Sequence, residues 1–145
     1  MYSKQEASLI RKKFWETAGQ YFAPMPSASR AKVNWINYKT GVRFISFRLH
    51  ADEKMAFIGI EISHADPTQR QRHYNQFLGL KKQLQGDWNW EVGSDQGLSR
   101  IFAELQGINI YKQETWPQII SFFKERILQL DAFWVGYKEV FEMLD

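Results

Sequence analysis

The chain has no cysteine among its 145 residues, which excludes disulfides, thiolate metal sites and a cysteine nucleophile. It also lacks any apolar run long enough to span a bilayer. Its opening stretch, "MYSKQEASLIRKK", is charged before a signal-peptide core can form, so a cytoplasmic protein with no membrane partner is expected. There is no P-loop, no dinucleotide-type glycine pattern and no Gly-x-Ser-x-Gly elbow. His50, His64 and His73 are not spaced as a ligand pair, so no metal and no cofactor is expected. Internal repeats, low-complexity tracts and flexible linkers are also missing, so residues 1–145 read as one domain.

What is present is aromatic and unevenly charged. Aromatic residues make up 16% of the chain, with 6 Trp and 11 Phe, so aromatic packing should dominate the core and some contact surface. Residues 1–50 hold nine basic and two acidic groups, whereas residues 101–145 hold four and seven. The net charge of +3 therefore conceals a basic N-terminal third, able to steer an anionic partner or to complement the acidic remainder.

Periodicity sets the expected fold. "SKQE" at 3–6 is a capping box, and Ala7, Ile10, Phe14, Ala18 and Tyr21 form the stripe of a first helix that Pro24 and Pro26 stop. From 32 to 64 the period falls to two, predicting three antiparallel strands: "KVNWINY", "VRFISFRLH" and the strand holding "AFIGIEISH". A turn centred on Asp52 and Glu53 sets Ile45, Phe47 and Leu49 opposite Ile60, Ile58 and Ala56, and places Phe44 opposite Glu61. The first strand's register stays open: one turn at Thr40 and Gly41 brings Trp35 and Asn37 beside Glu61, a bulged one Asn34 and Ile36.

"HADP" starts a second helix with Asp66 as N-cap and Pro67 in its first turn; Tyr74, Phe77, Leu78 and Leu84 form its inner stripe, and it ends at Gly86. "WNWEV" and "SRIFAEL" alternate as two further strands joined across Gly93 to Gly97. "TWPQ" at 115–118 is a second capping box, opening a helical segment that runs almost to Asp145. Such a helix is longer than a small domain covers, so it breaks near Asp131 or its end, Phe133 to Leu144, packs on a second copy as a homodimer. The class is α+β: helix, three-strand antiparallel meander, helix, two further strands and a long C-terminal helical segment.

Glu61 is the residue that most invites a chemical reading, because an acid interrupts an otherwise apolar strand. The element order is similar to the opening of restriction-endonuclease-like nucleases, which set a second-strand acid and a third-strand Glu-x-Lys around Mg²⁺. Here the third strand reads Glu61-Ile62-Ser63, so the lysine is missing and no second carboxylate stands near. The alternatives are a degenerate nuclease or small hydrolase using Glu61, and a structural carboxylate paired with Arg43, Arg48 or a nearby Asn or Tyr. A softer reading is nucleic-acid binding by Arg11, Lys12, Lys13, Arg30, Lys32, Lys39, Arg43 and Arg48, with Trp35 and Tyr38 interleaved. The opposing reading makes the cations a solvated face and the aromatics core. The candidate functional face is Glu61, Arg48, His50, Trp35, Tyr38 and Arg43, with no residue assigned a catalytic role.

"NWINYKTG" at 34–41, "IGIEISHADP" at 58–67, "SRIFAEL" at 99–105 and "WPQIISFFKERILQLDAFW" at 116–134 together resemble a bacterial family of unknown function, common in Bacteroidetes. A related domain of that family is attached in longer proteins to restriction-endonuclease-like nuclease domains. The resemblance implies an accessory binding module with nucleic acid or a nucleic-acid-processing protein as partner, and it carries no catalytic residues to transfer.

Overall fold

The computed structural model describes residues 2–93 and 97–144. Helix α1 (Lys4–Phe22) begins where the Ser3 hydroxyl accepts the Glu6 amide, at 3.1 Å. It buries Phe14, Ala18 and Phe22; Tyr21, expected inside, is exposed, because the buried stripe turns onto Phe22. Strands β1 (Ile45–Ala51) and β2 (Met55–Ile62) form a hairpin, helix α2 (Pro67–Gly79) follows, and β3 (Asn89–Glu91) pairs with β4 (Ser99–Gln106). Helix α3 (Trp116–Glu142) closes the chain. The sheet has four antiparallel strands in the order β1-β2-β4-β3, so the α+β arrangement is as expected.

The expected strand "KVNWINY" does not form: residues 32–44 are turns and extended loop, leaving four strands rather than five among the described residues. Its side chains find partners that a ladder would forfeit. The Asn34 carboxamide oxygen accepts the amides of Ile36 and Asn37, and the Trp35 indole donates to the Met25 carbonyl.

The β1–β2 hairpin is shifted by two residues from the expected pairing. Asp52 accepts the amides of Lys54 and Met55, at 2.8 and 3.0 Å, so the turn centres on Glu53 and Lys54. Phe47 then faces Ile60, Leu49 faces Ile58, and Glu61 faces Ser46 instead of Phe44. A shift of two preserves every side chain's face, so the apolar face survives the error.

Asp66 caps α2 by accepting the Thr68 amide at 2.9 Å, with Pro67 in the first turn, as expected. The helix ends at Gly79 rather than Gly86, because a 3₁₀ turn at Lys81–Gln83 takes over. Leu78 lies off the buried stripe and is exposed, while His73 joins Tyr74 and Phe77 inside. The β3–β4 pairing is present, with residues 94–96 of its link outside the described residues.

Helix α3 is continuous for 27 residues, about 40 Å. It neither breaks at Asp131 nor projects. Its first half packs on α1 through Phe123 against Trp15, and its second half on β1 and α2 through Trp134 against Phe47 and Phe141 against Phe77. Phe133, Trp134 and Phe141 are thereby buried within this chain. At its start the expected Thr115 box is not made; that hydroxyl donates instead to the Asn109 carbonyl at 2.6 Å.

Ile45, Phe47, Ile58, Ile60, Ile101 and Ala103 turn one sheet face into the core beneath α2 and α3. Full burial of each large apolar side chain contributes about 1.5–3 kcal/mol. Among the described residues no helix is long and apolar enough to cross a membrane.

Candidate functional site

The six residues singled out in the sequence fall in three places. Arg48, His50 and Glu61 lie on the sheet face away from the helices, Trp35 and Tyr38 lie on the helical side, and Arg43 stands just before β1.

On the open face Glu61 is 9% exposed and accepts from the Arg48 guanidinium at 3.4 Å. Across β4 its neighbour is Arg100, which sends Nε and Nη2 to Glu91 at 3.2 and 2.9 Å. Arg48, Glu61, Arg100 and Glu91 therefore alternate in sign over the four strands. Beside them Phe57 stacks on Phe102 at 5.4 Å, with the Arg100 guanidinium over both rings. Gly59 makes this possible, since a Cβ there would stand 2.7 Å from Phe102 Cβ and from the Ile101 carbonyl oxygen.

His50 meets Asp52 at 3.1 Å. Burial works against ionisation of Asp52, but the Lys54 and Met55 amides and His50 outweigh it and hold the carboxyl below its usual range. Glu61 is thus a paired carboxylate with a cation on each side. Among the described residues no group of three or more His, Asp and Glu is placed to hold a metal ion. The face carries one more acid than arginine, with Glu61, Glu91 and Glu104 against Arg48 and Arg100, which is poor ground for a polyanion.

The second place is a cleft between the loop after α1 and the C-terminal half of α3. The loop is pinned from below by Asp131, which is 1% exposed and accepts from Ser27 Oγ, the Ala28 amide and Tyr38 Oη at 2.9, 2.8 and 2.8 Å. Burial and the Asp131 carboxylate push the Tyr38 phenol well above its usual range, so it stays a donor. The Trp134 indole ties the next stretch by donating to the Thr40 carbonyl at 3.0 Å. Gly41 then passes the helix at φ 78°, so close that a Cβ would meet Lys138 Nζ at 2.7 Å.

The result is a cleft of about 480 Å³ lined by Lys32, Lys39 and Lys138, by Ser29, Asn34 and Asn37, and by the apolar surfaces of Tyr38, Trp134 and Val135. Among the described residues no carboxylate lines it. Lys138 is held by Glu142 at 3.6 Å, one turn along the helix. Such a volume suits a nucleotide-sized group, with ammonium and carboxamide donors above an apolar floor.

The third place holds Arg43 over the Phe44 ring at 4.9 Å, with that ring 4.2 Å from His64. Phe44 adopts φ 66°, a left-handed conformation uncommon for a bulky side chain, while its carbonyl still accepts the Ser63 amide at 2.8 Å.

Of the cations expected to bind phosphates, only Lys32 and Lys39 reach the cleft. Arg11 instead donates to the Tyr111 hydroxyl at 2.8 Å, and Arg48 serves Glu61. Lys138 carries no local signal for this cleft, since an unbroken α3 is what brings residue 138 beside residues 32 and 39.

A family model described as "Domain of unknown function (DUF4268)" matches residues 10–138. The chain belongs to the DUF4268 family. The matched residues run from α1 through Lys138 and so include every lysine of the cleft and all four strands of the sheet. No curated protein and no solved structure matches the chain.

Proposed function

We propose that this DUF4268 chain is a binding module rather than a catalyst, and that its ligand is single-stranded nucleic acid taken along the Lys32–Lys39–Lys138 cleft. The observation that carries the reading is that cleft itself: lysines from a loop and a distant helix converge on a hollow with no acid among the described residues of its wall. Phosphates meet the ammonium groups, the carboxamide nitrogens of Asn34 and Asn37 supply donors, and a base or sugar lies against Tyr38 and Val135. The engagement of Glu61 by Arg48, with no second carboxylate paired beside it on β1 or β4, favours binding over hydrolysis.

On this reading the chain is a cytoplasmic accessory module of the bacterial type that its sequence resembles, working beside a nucleic-acid-processing protein such as a nuclease. The test is fluorescence anisotropy of a labelled mixed-sequence oligonucleotide at several salt concentrations. Saturable, salt-sensitive binding supports the proposal; no binding at low salt removes it.

A further inference from the structure

The uncovered sheet face carries a pattern that the cleft does not use. Going across β1, β2, β4 and β3, its charges run Arg48, Glu61, Arg100, Glu91. Glu61, Arg100 and Glu91 share one row of the ladder, and the Arg48 guanidinium reaches into that row to touch Glu61.

A row of this kind is self-complementary in one orientation. If a second copy is laid face to face about a two-fold axis parallel to the strands, β1 lies over β3 of the partner and β2 over β4. Every arginine then meets a glutamate: Arg48 meets Glu91, and Glu61 meets Arg100, each twice by symmetry. A two-fold axis across the strands would instead set each strand over itself and bring like charges together. Electrostatics therefore selects a single orientation, the usual property of an isologous interface. At its centre lies the Phe57–Phe102 stack, which belongs to no part of the helical core.

We infer that this face is an interface whose partner is a second copy of this chain, joined sheet to sheet through the Arg48–Glu61–Arg100–Glu91 row. With four strands and at most eight residues per strand, the face measures at most about 19 by 26 Å, or about 500 Å² per copy. That sits at the low end for specific association, so the dimer is weak and reversible. Side-chain exposures of 55% for Arg48, 30% for Arg100 and 39% for Glu91 leave these groups accessible to a partner, while Glu61, at 12%, is the recessed member that the partner's Arg100 has to reach.

Sedimentation velocity of the whole chain from about 10 μM to about 1 mM, at low and high salt, tests the proposal together with Arg48→Glu and Glu91→Arg. The wild type is expected to shift from monomer to dimer with concentration, and less so at high salt. Each variant alone should stay monomeric, since each sets like charges face to face. An equimolar mixture should recover a heterodimer, because Glu at 48 on one chain meets Arg at 91 on the other, while the second contact remains native.

A wild type that stays monomeric at 1 mM overturns the inference. So does a dimer that both variants retain, which would place the contact elsewhere, for example on α3. Should a variant fail to fold, concentration-dependent amide shifts of the wild type decide: perturbation on β2 and β4 supports the interface, and perturbation confined to other elements overturns it.

Discussion

Tyr38 donates its hydroxyl proton to Asp131 at 2.8 Å, joining the loop after α1 to the middle of a helix 93 residues farther along the chain. Without that bond the loop lacks one of the anchors that hold Lys32 and Lys39 opposite Lys138. Tyr38→Phe is expected to lower stability by about 1.5–3 kcal/mol, the range for a hydrogen bond to a charged group, in urea unfolding at pH 7. Asp131→Ala should lower it further, because Ser27, Ala28 and Tyr38 lose their shared acceptor together.

The same contact sets an alkaline limit. The folded pKa of Tyr38 is raised, so its stabilisation is complete below the ordinary phenol value of about 10 and declines as pH rises above it. In a spectrophotometric titration, Tyr38 should ionise only with unfolding, and the Tyr38→Phe protein should lose that signal.

Asp52 acts in the opposite direction. Its folded pKa is lowered, so what it contributes to the β1–β2 turn is present above about pH 3.9 and lost as pH falls through the depressed value. Asp52→Ala should lower stability by about 1 kcal/mol at pH 7, as loss of a side-chain cap on backbone amides does. The difference from wild type should shrink as pH falls below the ordinary carboxylate value of about 3.9, as measured by urea unfolding on both sides of it.

Gly59 lets β2 and β4 lie close beneath the Phe57–Phe102 stack. Gly59→Ala sets a methyl 2.7 Å from the Ile101 carbonyl oxygen, which backbone pairing holds in place. A loss of about 1–3 kcal/mol in the thermal or urea transition is expected, the usual range for overpacking.

The parts of the fold that local rules govern were legible in the sequence. Ser3 and Asp66 cap helices as their spacing implies, and period-two alternation located β1, β2 and β4. "KVNWINY" failed as a strand because Asn34, Trp35 and Tyr38 bond to Ile36, Met25 and Asp131, partners that alternation does not reveal. Asp131 shows the same limit: mid-helix acids often mark a break, but this one is buried because the loop supplies donors. The environment of Glu61 was half legible. Its face followed from pleat parity and Arg48 stood among several possible partners with Arg43 and a nearby Asn or Tyr, whereas Arg100 beside it depended on β4 pairing with β2, a long-range choice.

The cleft was legible only in its loop half. Lys32 and Lys39 stood out among basic residues, but Lys138 joins them through tertiary packing of α3.

The measurement closest to the central claim is the salt dependence of oligonucleotide affinity for wild type and Lys138→Ala. Three lysines on three phosphates give a slope of about −2 in log K against log salt, or about a twentyfold loss between 50 and 200 mM. Lys138→Ala should weaken binding and flatten the slope by about 0.7, with the fold intact by circular dichroism. Wild-type affinity indifferent to salt, or a slope that Lys138→Ala leaves unchanged, would contradict binding in the cleft.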